Sequence, residues 1–187
     1  GLFWEELVLH PGVARNLLMV LSERMRANGE LIVERLKDRL ALEHLQKELA
    51  IARDIQASML PPGDRLFPGS AQAQAAASMT PAKDVGGDFY DAFSLRPGQW
   101  FVAIGDVSGK GVPAALFMAR TLTHLRAEAA RRASVSDILE AVNRLLCEGN
   151  VAGMFVTLFC AVLDTDSGML YHASAGHNPP LVVRPDG

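Results

Sequence analysis

Apolar residues recur every three or four positions through the first sixty residues of the chain: Leu17, Leu21 and Met25, then Ile32, Leu36 and Leu40, then Leu42, Leu45, Leu49, Ala52, Ile55 and Met59. That spacing predicts helix, because it gathers the apolar side chains on one side of a 3.6-residue turn. Pro11 suits a helix start, and Asn28-Gly29 offers a break. The stripe over 42–59 is narrow and flanked by Glu43, Lys47, Glu48 and Arg53. It suits a coiled-coil seam, a helix docked on a neighbouring domain, or a helix packed on its own domain, and two heptads are too few to choose. Pro61-Pro62-Gly63 ends the helix, since neither proline supplies the next helical N–H, and the domain boundary is placed there.

Beyond the prolines the pattern changes to short strand-like pieces near 71–80, 88–95, 99–105, 155–163, 168–175 and 180–184. Between the third and fourth lie two helical segments. Pro113 opens the first, which runs to about Arg132, and Ser134-x-x-Asp137 forms a capping box for the second, which stops near Gly149. Hairpins separated by a helix pair predict an α+β domain with helices packed on an antiparallel sheet.

Composition narrows the function classes. Of 187 residues, 49% are hydrophobic and 21% charged, enough apolar material for a packed core. The net charge of −3 is evenly spread, which removes the electrostatic footprint of a nucleic-acid or membrane-surface binder. The longest apolar stretch, Met154–Leu163, is too short to cross a bilayer. The first residues carry no secretory signal pattern, and Cys147 and Cys160 with no CxxC pair suit two reduced thiols in a cytoplasmic protein. The chain opens on Gly and ends on the turn signal Arg184-Pro185-Asp186-Gly187, so a piece of a longer protein is expected.

Chemistry concentrates in Val85-Gly86-Gly87-Asp88-Phe89-Tyr90-Asp91 and Gly105-Asp106-Val107-Ser108-Gly109-Lys110-Gly111. Residue 97, in the turn Arg96-Pro97-Gly98, lies midway between 88 and 106. A hairpin symmetric about that turn sets Asp88 directly opposite Asp106, with Cβ atoms roughly 5 Å apart. Opposed like charges destabilise a sheet unless a cation lies between them, and no Arg or Lys of either strand is placed on that face. A divalent ion resolves this, and all-oxygen ligands suit Mg²⁺ or Mn²⁺ better than zinc. Asp91 falls on the other face by alternation and is expected to be hydrogen-bonded or solvated.

Two similar patterns fail on inspection. Gly87-Asp88-Phe89 lacks the second acid of a diguanylate-cyclase turn, and Gly105-x-x-x-Gly109-Lys110-Gly111 is one residue short of a P-loop and has Gly where Ser or Thr should stand. The whole series does resemble a known family. Glu48-Leu49-Ala50-Ile51-Ala52-Arg53-Asp54-Ile55-Gln56, Leu60-Pro61, the two glycine-rich segments, Met154-Phe155-Val156-Thr157-Leu158 and Ala175-Gly176-His177-Asn178-Pro179-Pro180 are similar to bacterial SpoIIE/RsbU-type serine/threonine phosphatases of the metal-dependent PPM (type 2C-like) family. The resemblance implies an α-β-β-α sandwich with antiparallel sheets, here incomplete, holding two Mn²⁺ or Mg²⁺ ions that activate water against phosphoserine or phosphothreonine. It implies Asp106 as the aspartate bridging both metals, the Val107 carbonyl as a main-chain ligand and Asp88 as the early-strand ligand. Lys83 is a candidate for pairing with the substrate phosphate as a point charge, with a solvated lysine the favoured reading. His177 is expected to bond backbone or shape its turn, and His44, His124 and His172 to be structural.

The family places two further metal-binding aspartates later than this chain reaches, so the fragment is expected to bind metal weakly and turn over slowly. The general-acid histidine that eukaryotic relatives carry after the bridging aspartate is replaced by Val107-Ser108, which leaves leaving-group protonation unassigned. Residues 1–30, with His10-Pro11-Gly12-Val13-Ala14-Arg15 and Leu21-Ser22-Glu23-Arg24-Met25-Arg26, resemble the closing helices of cyclic-nucleotide-binding domains. The expected organisation is thus a sensor remnant (1–30), a helical linker (31–60) and the first part of a phosphatase domain (61–187). The partner implied is a phosphorylated regulatory protein of the anti-sigma-factor-antagonist type, and the amino-terminal helix is compatible with pairing to a second copy of the chain. The alternative is an inactive phosphatase-like signalling scaffold with a helical dimerisation arm.

Overall fold

In the computed structural model, residues 11–80 and 85–184 are described. Helix α1 spans Pro11–Met59. It runs through Asn28-Gly29 without the expected break. A mid-helix glycine costs about 1 kcal/mol against alanine, which the surrounding strong helix formers absorb. The chain divides into two compact units, Gly1–Glu48 and Leu49–Gly187. In the first, the helix exposes Leu17, Met25, Leu36 and Leu40. Its surface carries the i,i+4 pairs Arg39–Glu43 (3.0 Å) and His44–Glu48 (3.3 Å), each worth a few tenths of a kcal/mol (about 0.2–0.5).

The second unit is built on one antiparallel sheet whose strands lie in chain order: β1 (Phe89–Arg96), β2 (Gln99–Val107), β3 (Val156–Asp164) and β4 (Met169–Ala175). β1 and β2 turn through Pro97-Gly98. Gly98 has φ +78°, the left-handed conformation that a tight turn with proline at its second position needs. Helices α2 (Val112–Ala129) and α3 (Val135–Cys147) connect β2 to β3, with Pro113 in the first turn of α2 as expected. Ser134 stands at the cap of α3 in extended conformation, but its hydroxyl caps nothing. Its carbonyl accepts from the Ile138 amide at 3.1 Å while the side chain stays in solvent. At the other end, Arg120 of α2 donates to the carbonyls of Leu145 and Glu148.

Both helices cover one face of the sheet. Phe89, Phe101, Ala103, Leu158 and Cys160 from the strands meet Met118, Leu122, Leu125, Ile138 and Val142 from the helices. Each fully buried large side chain there contributes about 1.5–3 kcal/mol relative to exposure. Burial also pushes the Cys160 thiol upward, as expected of a core cysteine.

Two of the expected strands are absent. Residues 71–80 form an irregular segment tied to the loop after the prolines by Leu66 N–H to Ala75 O (2.9 Å) and Ala77 N–H to Gly63 O (2.8 Å). Its alanines pack with Leu66 and Phe67 on Tyr90, Trp100 and Val102, on the sheet face away from the helices. An Ala/Gln-rich run lacks the β-branched side chains that favour a strand. Residues 180–184 are irregular, and Leu181, Val182 and Val183 are exposed with no strand beside them among the described residues.

Candidate metal centre

The hairpin register determines which carboxylates meet. Phe89 pairs with Gly105, Tyr90 with Ile104 and Asp91 with Ala103. Extending the ladder by one residue sets Asp88 against Asp106, as the symmetry about residue 97 predicts. Phe89 enters the helix-covered core, and Gly105 makes room for its ring: a Cβ on Gly105 would lie 2.6 Å from that ring and 2.8 Å from Leu158. Asp88 and Asp106 therefore sit on the opposite, solvent-exposed face. The Asp88 carboxyl is held above the usual carboxylate range, first by burial, then by a hydrogen bond with Asp106 and by that neighbour's charge; the charge of His177 acts the other way.

Glycine brings the third candidate close. A Cβ on Gly87 would lie 2.7 Å from the Val107 carbonyl oxygen, so only a bare backbone lets the strand carrying Asp88 approach that carbonyl. The neighbouring residue is clamped from α1. The Gln56 amide donates to Gly86 O at 2.6 Å and accepts from Gly86 N–H at 3.1 Å, and Gln56 is buried. Sequence periodicity put Ile55 on the inner stripe, yet Ile55 is exposed and the inward positions run Leu49, Ala52, Gln56, Met59. The spacing was available; the polar side chain concealed it.

Asp91 lies on the helix side, as alternation requires. Arg126 of α2 reaches it through Nε to Oδ2 (2.7 Å) and through its terminal nitrogen to Oδ1 (2.9 Å), and also donates to the Met59 carbonyl at 3.2 Å. No pattern in the sequence singled out Arg126. Ser108 is occupied in holding β3, with its N–H donating to Phe155 O (2.8 Å) and its Oγ accepting from Phe155 N–H (3.0 Å). Lys110 is exposed, and Lys83 lies outside the described residues. His44 pairs with Glu48 on the α1 surface, and His172 stacks on Phe159 with centroids 5.6 Å apart.

A cleft of about 460 Å³ opens over the paired carboxylates, lined by Ser78, Met79, Thr80, Asp88, Asp106 and His177 among others. Asp88 and Asp106 form no ion pair with a Lys, Arg or His among the described residues. Two unneutralised carboxylates beside a main-chain carbonyl are hard oxygen donors of the kind Mg²⁺ and Mn²⁺ take. The residues thus fit divalent ions, although among the described residues no three His, Cys, Asp or Glu side chains converge on one point. Two carboxylates and one carbonyl are a partial ligand set.

The sequence profile of the family Stage II sporulation protein E (SpoIIE) matches residues 96–187. Phosphoserine phosphatase RsbU of Bacillus subtilis (strain 168) is 32% identical over 141 residues, 73% of this chain and 40% of that protein. Protein IcfG of Synechocystis sp. (strain ATCC 27184 / PCC 6803 / Kazusa) is 30% identical over 203 aligned positions, 94% of this chain and 30% of its own length. This chain therefore spans well under half of either relative. Among solved structures, the SiaA-PP2C domain of Pseudomonas aeruginosa shares the fold with a TM-score of 0.57 at 20% identity, covering 72% of this chain and 55% of that one. Phosphatases of this type use divalent metals. Residues 96–187 match the SpoIIE family and, with the likeness to RsbU, support a SpoIIE/RsbU-type phosphatase domain, while the SiaA-PP2C likeness shows the fold.

Proposed function

We propose that the protein bearing this domain hydrolyses phosphoserine or phosphothreonine on a regulatory protein of the anti-sigma-factor-antagonist type, with two Mn²⁺ or Mg²⁺ ions at the Asp88–Asp106 cleft. The observation that carries the reading is the pairing of two carboxylates in that cleft with no ion-pair partner among the described residues. Asp88, Asp106 and the Val107 carbonyl would hold the ions, with Asp106 the central ligand by family resemblance.

Ions bound there supply a water of lowered pKa and neutralise the phosphoryl oxygens. The chain's own contribution is placement. Gln56 fixes the Gly86 peptide and Gly87 admits the Val107 carbonyl, so the donor atoms are set before substrate arrives. Ser78, Met79 and Thr80 line the cleft that would receive a phosphorylated side chain carried on another protein. Neither Ser108 nor a cysteine is placed to attack phosphorus: the serine is committed to Phe155, Cys160 is buried in the core and Cys147 lies on α3. The intact carboxylate pair favours this enzyme over an inactive scaffold.

The test is manganese-dependent phosphate release from a phosphoserine peptide by the native protein. Asp106→Asn should lower it to background. Release that persists in Asp106→Asn, or needs no divalent ion, would overturn the reading. Association through the α1 helix is proposed only on its exposed apolar positions and is checked by sedimentation.

A further inference from the structure

The cleft contains an imidazole in addition to the carboxylates. His177 follows β4 in a turn whose geometry is fixed at three points: Gly176 takes φ +72°, it bridges to Leu158, and Ser174 Oγ donates to the His177 carbonyl at 3.3 Å. The ring is half-buried. Its Nδ1 lies 2.9 Å from Thr157 Oγ1, and that hydroxyl is 3.5 Å from the Asp106 carbonyl oxygen. Thr157 is the β3 residue paired with Asp106, so the ladder itself delivers the hydroxyl to the ring.

A hydroxyl has one proton. Both of its contacts are satisfied together when the ring donates through Nδ1–H to Thr157 and Thr157 donates onward to Asp106 O. Nε2 is then the ring's free position on a cleft that also holds Asp88 and Asp106. The Tyr90 phenol is committed, donating to Pro61 O at 3.0 Å, and the aliphatic hydroxyls of Ser78 and Thr80 on the cleft wall are far weaker acids than an imidazolium. Val107-Ser108 leaves no imidazole directly after Asp106.

We propose that His177 is the proton donor to the departing serine or threonine oxygen, with Thr157 as its positioning residue; this rests on the phosphatase reading above. As the attacking water oxygen bonds to phosphorus, the P–Oγ bond breaks and the Nε2 proton passes to Oγ, which leaves as a neutral hydroxyl. The water releases a proton to solvent, the ring regains one, and inorganic phosphate departs.

The experiment compares two substrates on the native, manganese-loaded protein that carries this sequence. A phosphoserine peptide expels an alkoxide that needs a proton. p-Nitrophenyl phosphate expels a phenolate that delocalises its charge and does not. His177→Ala should lose about 100-fold or more on the peptide, the usual worth of general acid catalysis, and only a few-fold on the aryl ester. His177→Gln keeps the size of the ring's polar edge without an acidic proton and should behave like alanine. Equal losses on both substrates, or rescue by glutamine, would overturn the donor role. Failure of Asp106→Asn to lower both rates would instead overturn the phosphatase reading. A readout independent of turnover is the ring tautomer: long-range ¹H–¹⁵N spectra should place the neutral-ring proton on Nδ1 in the wild type and lose that preference in Thr157→Val. A wild-type ring protonated only at Nε2 would overturn the relay.

Discussion

The Asp91 carboxylate has no exposed surface, and the guanidinium that neutralises it is half in solvent. Breaking a wholly buried pair costs about 3–5 kcal/mol. Solvent access to Arg126 reduces this, so Arg126→Ala should destabilise the domain by about 2–3 kcal/mol in urea unfolding. Asp91→Asn in that background should recover part of the loss, because the orphaned charge is gone. A second carboxylate gives a pH signature. Asp164 accepts from Gln99 Nε2 at 2.8 Å and from the Ser167 N–H and hydroxyl at 2.9 and 2.8 Å, which hold its pKa down at about 2. Its folded pKa lies below the ordinary value of 3.8, so its contribution is fully present above that value and is lost as pH falls toward 2. Asp164→Asn should lower stability at neutral pH and flatten the acid limb of a Tm-against-pH curve between those values.

At the scale of elements, the β1–β2 hairpin was legible because a turn dipeptide and an alternating pattern fix register without tertiary information. The midpoint at residue 97 and the observed Phe89–Gly105 pairing agree. The helix pair was legible from Pro113 and from Ser134, which stands at the cap of α3 although its hydroxyl caps nothing. The 71–80 segment was not, since it is held by two backbone bonds and by burial under Phe67 and Trp100, whose rings sit 4.9 Å apart. Nor were the Gln56 clamp and the Arg126 strut, because each depends on residues distant in sequence meeting through side-chain hydrogen bonds. For the candidate centre, the sequence marked both carboxylates but assigned His177 only to its turn. Two predictions belong here. Gly87→Ala would drive a methyl against the Val107 carbonyl, and should weaken the Mn²⁺-induced rise in Tm while leaving the sheet intact by circular dichroism. Gln56→Ala should release the Gly86 peptide, read as faster hydrogen exchange at the Gly86 amide than at Phe89.

For the whole molecule, proton binding and stability are linked through Asp88. Its folded pKa is raised, so the fold binds more protons than the unfolded chain in that window. Metal-free stability therefore falls as pH rises from the ordinary carboxylate value through the raised one. Asp88→Asn should raise the metal-free Tm and abolish the gain that Mn²⁺ gives the wild type, as measured by differential scanning fluorimetry. The meander adds a temporal dimension to this charge conflict. Among the described residues each strand is bonded to its neighbours in chain order, so as the polypeptide leaves the ribosome the first ribbon can close before the residues of β3 have been made. Its two acidic groups would be forced together while nothing yet covers them. A divalent ion at the proposed centre would relieve that repulsion from the moment the ribbon closes.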